Sequence, residues 1–186
     1  MNLPVIAANG IVLRPITETD TAAIFHHFSN DTVTRYMDIP SFSDISEATQ
    51  IIHFFQESLV KGTGMRWAIT IPGHPELVGT CGLHNLNKTH YKGEVGYDLH
   101  PDFWGKGIMT NAIHEVLLYA FNQLQLNRVE AFVDPANTAS ANLLRRVGFE
   151  KEGFLRDAFF EKGRFVDAAL YSILKRTHAR ENIFNG

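Results

Sequence analysis

The chain has 186 residues, of which 45% are hydrophobic and 20% are charged, and its formal net charge is −3. These values are ordinary for a soluble globular protein, and the length predicts one domain, residues 1–186, large enough to bury a core. The net negative charge argues against a general affinity for nucleic acid, because that affinity requires clustered lysine and arginine.

The cysteine and histidine content narrows the class of protein further. Cys81 is the single cysteine, so an internal disulfide is excluded and a reducing cytoplasm is favoured. The nine histidines lack zinc-ligand spacings such as HExxH, so the sequence predicts no metal site. No apolar run is long enough to span a membrane, and the start MNLPVIAANG lacks the features of a signal peptide. We therefore expect a cytoplasmic protein that does not insert into a membrane.

The first half of the chain predicts one strand, three helical segments and two further strands. Residues 17–20, TETD, form a capped and acidic helix start, and apolar residues follow at helical spacing. The predicted elements are a strand at 11–16, a helix from position 17 onward, a helical turn at 31–37, a helix that starts at 44–47 and ends before Gly62, and strands at 65–71 and 77–83.

Residues 92–110, KGEVGYDLHPDFWGKGIMT, combine a strand, a glycine turn and a helix start. The strand at 94–99 ends at a proline, and Gly105-Lys106-Gly107 then precedes an apolar pattern with helical spacing. The first four N–H groups of a helix have no partner within it, and the helix dipole puts partial positive charge there. The turn therefore predicts an anion site.

The remaining predicted elements are a helix after Gly107, a strand at 128–133, a short helix at 139–147, and strands at 149–155 and 165–174. Consecutive strands predict antiparallel hairpins, whereas the strand–helix–strand segment over 94–133 predicts a parallel pair. The expected fold is a mixed α/β (α+β) domain with a central, mostly antiparallel sheet of about seven strands and helices on both faces. The polar tail, residues 177–186, is expected to be loosely held.

Several segments, in their order and spacing, resemble the GNAT acetyltransferase superfamily, and within it the branch of ribosomal-protein N-terminal acetyltransferases (Rim type). They are VLRPITETD (12–20), LVGTCGL (77–83), EVGYDLHPDFWGKGIMTNAI (94–113), RVEAFVDPANTASANLLRRVGF (128–149) and GRFVDAALYSIL (163–174). The resemblance implies a GNAT-like fold whose parallel strand pair splays apart. It also implies acetyl-CoA as the donor co-substrate and no metal.

The resemblance also indicates where the coenzyme binds. The pyrophosphate loop of the family, Gln/Arg-x-x-Gly-x-Gly/Ala, falls on the window from Trp104 to Met109. Gly107 matches this pattern, whereas Trp104 and Met109 depart from it in a way that recurs in the Rim-type branch. Main-chain N–H groups of residues 105–110 are the expected phosphate donors, and Leu99 is expected beside the thioester. The implied coenzyme contacts are Leu99, Trp104, Gly105, Lys106, Gly107, Ile108, Met109, Thr110, Asn137 and Asn142.

Two residues are candidates for catalysis. Glu94 lies on the strand face opposite Tyr97 and Leu99, and it is either a general base, acting directly or through water, or a salt-bridged strand carboxylate. A peptide α-amine has a pKa of about 8, against about 10.4 for lysine, so an N-terminal substrate needs little help from a base. Ser140 either donates a proton to the departing thiolate, as the resemblance implies, or only helps to begin its own helix. Leu144 occupies the position at which many relatives carry a tyrosine acid.

The implied acceptor is a primary amine that attacks the thioester directly in a ternary complex. The resemblance favours the N-terminal α-amine of a (ribosomal) protein. A small amine, amino acid or antibiotic is the first alternative, and a non-catalytic acyl-CoA-binding module is the second. Tyr36, Phe42, Trp67 and Trp104 are candidates for lining the acceptor cleft, with core packing equally open for Trp67. Many relatives pair as dimers, and the sequence leaves the oligomeric state open.

Overall fold

The computed structural model describes residues 3–178 of the chain. Its strands are β1 (Ile6–Ala8), β2 (Ile11–Pro15), β3 (Met65–Ile71), β4 (His74–Asn87), β5 (Lys92–Leu99), β6 (Arg128–Val133), β7 (Glu150–Glu161) and β8 (Arg164–Leu174). They form one sheet in the order β1-β2-β3-β4-β5-β6-β8-β7. Every neighbouring pair is antiparallel except β5–β6, which is parallel. The prediction of a mostly antiparallel sheet with one parallel pair is confirmed.

The sheet has one strand more than the seven that the sequence predicted. The additional strand is β1, which pairs antiparallel with β2 through the register Ile6↔Leu13. Asn9 and Gly10 connect the two strands, and both have positive φ, 51° and 77°. An Asn-Gly pair between short apolar runs is a strong signal for a tight hairpin, because both central residues of a type I′ turn require positive φ.

The helices that accompany the sheet are α1 (Thr21–Phe28), α2 (Asp31–Thr34), α3 (Ile45–Lys61), α4 (Ile108–Asn122) and α5 (Thr138–Arg146). Residues 175–178, which follow β8, are also helical. The longest, α3, begins at a capping box formed by Asp44 and Glu47 and ends at Gly62, whose φ of 69° provides the left-handed cap. The TETD segment behaves differently from its prediction. Glu18–Asp20 forms a separate 3₁₀ turn, and α1 begins only at Thr21.

Helices cover both faces of the sheet, as predicted. On one face α4 packs its buried residues, such as Ile113 and Leu117, against Trp67 and Cys81. On the other face α1 and α3 bury Ile24, Phe28 and Ile52 against side chains that include Ala68 and Leu77. Trp67 and Ala68 are consecutive in β3, so the alternation of a strand sends them into the two separate cores.

No helix within residues 3–178 is long and apolar enough to cross a membrane. The predicted loose tail, residues 177–186, lies outside the described residues from position 179 onward. Its first two residues are described. The Thr177 hydroxyl donates to the Leu174 carbonyl at 2.8 Å, and His178 is buried.

The parallel pair is short. Its register positions are Lys92↔Arg128, Gly93↔Val129 and Glu94↔Glu130. Beyond Glu94, β5 continues to Leu99 while paired only with β4, and β6 continues to Val133 while paired only with β8. The facing edges of β5 and β6 are therefore unpaired over these residues, and the sheet opens there into a gap.

Ion pairs hold the closed end of this gap. Glu130 is buried, and its carboxylate accepts from Lys92 Nζ at 3.0 Å and from Arg128 Nε at 2.7 Å. Arg128 also donates to Glu152 on β7 at 2.8 Å. Hydrogen bonds from two basic side chains satisfy both oxygens of the buried carboxylate, which is the condition for burying such a charge. The paired ends of β5 and β6 are fixed by this cluster.

A second buried carboxylate, Asp98, fixes the other end of β5. Its carboxylate accepts hydrogen bonds from His27 Nε2 at 2.6 Å, from the Arg66 guanidinium at 2.5 Å, and from the Thr80 hydroxyl at 2.6 Å. Burial alone would raise the pKa of Asp98, but the Arg66 charge and the hydrogen bonds from His27 and Thr80 outweigh it and lower the pKa to about 2. Asp98 thus ties β5 to β3, β4 and α1.

We predict that Asp98→Asn lowers the free energy of unfolding by about 3 kcal/mol at pH 7, because the substitution leaves the Arg66 charge without its buried partner. Asp102→Asn is the matched control, since the Asp102 side chain is 80% exposed. The folded-state pKa of about 2 lies below the ordinary 3.8, so the stabilisation is present at neutral pH and declines as the pH falls through the interval between those values. Urea unfolding at several pH values measures both effects. Equal stability of Asp98→Asn and the unaltered protein at pH 7 would contradict the prediction.

Candidate active site

A cleft of about 1590 Å³ includes the gap between β5 and β6 and extends beneath α2, α3 and the loop between them. All of the residues predicted for the site except Lys106 line it: Glu94, Leu99, Trp104, Gly105, Gly107, Ile108, Met109, Thr110, Asn137, Ser140 and Asn142. The structure therefore brings together residues from β5, the glycine turn, α4 and α5 that lie up to 48 positions apart (Glu94 to Asn142, 142 − 94).

The main chain of β5 presents hydrogen-bonding groups to the gap. The His100 N–H donates to the Val78 carbonyl of β4 at 2.8 Å. Backbone groups of successive residues in a strand point to opposite edges, so the N–H and C=O groups of Tyr97 and the N–H of Leu99 point away from β4 and into the gap. The Leu99 carbonyl lies on the same edge and accepts from the Trp104 indole. Unpaired strand edges of this kind bind extended chains that carry amide groups, since each ligand amide can pair with the main chain.

The turn between β5 and α4 has the geometry of an anion site. Gly105 and Gly107 have φ of 74° and 76°, and a Cβ on either would find no atom within 4 Å. Gly107 is the N-cap of α4 and offers no side chain to cap it, so the first N–H groups of the helix remain open to a ligand. Lys106 does not line the cleft, and its ammonium lies 5.2 Å from the centroid of the Phe103 ring.

Trp104 links this turn to the end of β5. Its indole Nε1 donates to the Leu99 carbonyl at 2.8 Å, while the side chain is half exposed. From the sequence, Trp104 is a departure from the polar residue usual at this position, an implied coenzyme contact and a candidate for lining the acceptor cleft. The structure assigns it a contact that fixes the turn relative to the main chain of Leu99.

Glu94 lies where the gap begins, on the face that carries His84. Its carboxylate Oε2 is 3.2 Å from His84 Nε2, and its side chain is 21% exposed. Burial raises the pKa of Glu94, but hydrogen bonding from His84 and Asn85 and the charges of His84 and Lys92 outweigh this and lower it. Glu94 is therefore ionised at neutral pH, able to accept a proton, and already paired with an imidazole.

Ser140 lies in the first turn of α5. Its N–H donates to Asn137 Oδ1 at 3.1 Å, so the Asn137 side chain caps the helix. Its hydroxyl is 2.7 Å from the Tyr97 hydroxyl of β5. Leu144, one turn later, is completely buried, so this position contributes packing and no proton donor. The sequence missed Tyr97 as a partner, because no local pattern joins residues 43 positions apart.

Other residues considered for the site separate into cleft and core. Tyr36, Phe42 and Trp104 line the cleft, whereas Trp67 is completely buried and its indole donates to the Pro4 carbonyl at 2.9 Å. Cys81 is also completely buried, and burial raises the pKa of its thiol to about 12, so it is not a nucleophile. Within residues 3–178, no group of three or more histidine, cysteine or acidic side chains is placed to hold a metal ion.

Comparison with known families and sequences identifies the class of protein. A family model described as an acetyltransferase (GNAT) domain matches residues 11–150. An uncharacterized N-acetyltransferase, p20 of Bacillus licheniformis, is 37% identical over 169 residues, which cover 91% of this chain and 95% of that protein. The spermidine N(1)-acetyltransferase of Escherichia coli is 25% identical over 177 residues, covering 95% of this chain and 92% of that protein.

Two further comparisons concern ribosomal-protein acetyltransferases and coenzyme binding. The [ribosomal protein uS5]-alanine N-acetyltransferase of Escherichia coli is 27% identical over 114 residues, covering 61% of this chain and 59% of that protein. Among solved structures, Mycobacterium smegmatis RimJ in complex with CoA-disulfide superimposes with a TM-score of 0.83 at 25% identity, covering 95% of this chain and 89% of that one.

Proposed function

The chain belongs to the GNAT acetyltransferase family. We propose that it transfers an acetyl group from acetyl-CoA to the N-terminal α-amine of a protein. One observation carries the proposal: the gap between β5 and β6 runs from a helix N-terminus suited to phosphate to a carboxylate, Glu94, at its closed end. Members of this family use acetyl-CoA, and the RimJ structure contains a form of coenzyme A.

In this proposal the coenzyme lies along the open edges of the gap. The pyrophosphate accepts hydrogen bonds from main-chain N–H groups of residues 105–110, where the dipole of α4 favours negative charge. The pantetheine amides pair with backbone groups of β5, and the thioester lies beside Leu99. Asn137 and Asn142 contact the arm from the side of α5. The side chain of Asn137 already caps that helix, and Asn142 Oδ1 accepts from Arg145 at 2.7 Å, so both amides are held in place.

The chemical step needs only modest assistance. The amine nitrogen attacks the acetyl carbon, the carbonyl oxygen gains negative charge, and the Leu99 N–H that faces the gap donates to this oxygen. An α-amine with a pKa of about 8 is partly neutral at pH 7. Its nitrogen becomes strongly acidic after the attack, so Glu94 accepts the proton directly or through water even though its pKa is lowered. The carbon–sulfur bond then breaks, sulfur keeps the electron pair as a thiolate, and the Ser140 hydroxyl donates a hydrogen bond to it.

The ribosomal-protein acetyltransferases among the relatives favour a protein N-terminus as acceptor. A polyamine is the second candidate, favoured by the spermidine N(1)-acetyltransferase of Escherichia coli and by carboxylates in the cleft. Asp134 and Glu161 both line it, and so does Asp38. Burial and the charges of Asp38 and Asp134 raise the pKa of Glu161, which reflects their mutual repulsion and an environment that attracts a cation.

We predict release of coenzyme A thiol when the protein is mixed with acetyl-CoA and peptides that begin with Ala, Ser or Met, with kcat/KM at least about 10-fold higher than for spermidine. Mass spectrometry of the peptides identifies the acetylated atom. A reversed preference would replace the first candidate by the polyamine. Binding of coenzyme A without turnover on any amine would support a non-catalytic module, and no binding at millimolar coenzyme would contradict the whole proposal.

We predict that Glu94→Gln lowers kcat by up to about 100-fold, because proton acceptance by a positioned base contributes about that much. The rise of the rate towards pH 8 should persist in the variant, since it reflects deprotonation of the substrate α-amine and not of Glu94, whose pKa is lowered. Glu150→Gln, an exposed carboxylate on β7 outside the cleft, is the matched control. An unchanged kcat for Glu94→Gln would assign Glu94 a structural role only.

A further inference from the structure

We propose that Tyr97 is a positioning residue that holds the Ser140 hydroxyl in the orientation in which it donates a hydrogen bond to the departing coenzyme A sulfur. The inference rests on the proposed acetyl transfer. The hydroxyl of Tyr97 on β5 lies 2.7 Å from the hydroxyl of Ser140 on α5. Both residues line the cleft, so the pair joins the two elements that border the proposed position of the coenzyme.

The contact distinguishes Ser140 from an ordinary serine at the start of a helix. A serine hydroxyl in a helix commonly bonds to a backbone carbonyl three or four residues earlier. Among the described residues, the Ser140 hydroxyl bonds instead to Tyr97, and the hydrogen bond that caps the helix comes from Asn137. Capping of α5 therefore does not require the Ser140 hydroxyl, which leaves this group available to a ligand.

The direction of the hydrogen bond follows from the acidity of the two groups. A phenol is a stronger donor than an alkyl alcohol, and Tyr97 stays neutral because burial raises the pKa of its hydroxyl. Tyr97 therefore donates its single hydrogen to Ser140. The hydrogen of Ser140 remains for a partner in the cleft, and donation from Tyr97 polarises the Ser140 hydroxyl and makes it a better donor.

Leu144, one turn after Ser140, explains why the Ser140 hydroxyl needs to be held by Tyr97. Leu144 is on the same side of α5 as Ser140, four residues later, and it is completely buried. Position 144 therefore offers no hydroxyl to the cleft, and Ser140, one turn earlier, carries the hydroxyl on this side of α5. A serine hydroxyl rotates freely, and the contact with Tyr97 removes that freedom.

The step balances without a net proton transfer from either hydroxyl. The amine nitrogen forms the new carbon–nitrogen bond and releases its proton to Glu94. The carbon–sulfur bond breaks, and sulfur keeps the electron pair as a thiolate that Ser140 stabilises by its hydrogen bond. A thiol with a pKa of about 8.5 leaves as the thiolate near neutral pH, so a hydrogen bond is sufficient. Ser140 and Tyr97 keep their protons throughout.

The test is a double-mutant cycle on acetyl transfer, with Tyr97→Phe, Ser140→Ala and the double variant. We expect Tyr97→Phe to lower kcat by about 10-fold with the KM for acetyl-CoA changed by less than about 2-fold, because only the orientation of a donor to the developing charge is lost. The double variant should be no slower than Ser140→Ala, since Tyr97 acts through Ser140. Ser140→Thr keeps a hydroxyl and should retain most of kcat.

The matched control is Tyr171→Phe, which removes another buried tyrosine hydroxyl, on β8 and outside the cleft. Its kcat should equal that of the unaltered protein, and unfolding in urea verifies that each variant is folded at the assay temperature. A wild-type kcat in Tyr97→Phe would overturn the inference, and so would additive losses in the double variant or a change confined to KM. Absence of thiol release by the unaltered protein would overturn the proposed function, and with it this inference.

Discussion

The pairing between β5 and β6 ends early, and the shape of the cleft results from this feature of the sheet. Their parallel ladder stops at Glu94↔Glu130, although both strands continue. Backbone N–H and C=O groups that lack partners are costly to bury, so edges of this kind remain open to water or to a ligand that can pair with them. The gap forms at this interruption of the sheet, with the glycine turn at its entrance and Glu94 at its closed end.

Separate interactions keep the gap in one shape. The Glu130 cluster holds its closed end, Asp98 fixes the far half of β5 against three other elements, and the indole of Trp104 ties the turn to Leu99. The Tyr97 hydroxyl reaches Ser140 on α5. A site held in this way loses little free energy to ordering when a ligand binds, which is the physical meaning of preorganisation.

Local patterns in the sequence predicted individual strands and helices. The alternation over residues 94–99 predicted β5, and the glycines before an apolar helical pattern predicted the start of α4 at Ile108. The short strand β1 was not predicted, although the Asn9-Gly10 pair is a typical signal for a hairpin turn. The partners of Asp98 were also missed, because His27 lies 71 positions away and only the folded topology brings the two together. Hydrophobic periodicity indicates on which face of a helix or strand a residue lies. Contacts between distant side chains depend instead on the order of the strands in the sheet.

In the proposed function, the edge of β5 that faces the gap binds the pantetheine arm of the coenzyme. Amide hydrogen exchange, measured by NMR with and without acetyl-CoA and with no acceptor amine present, provides the test, with the His100 N–H as internal reference because it already donates to Val78 within the sheet. We expect exchange at Tyr97 and Leu99 to slow by at least about 10-fold on addition of acetyl-CoA, while His100 changes little. Binding of the coenzyme with no change at Tyr97 and Leu99 would contradict the account.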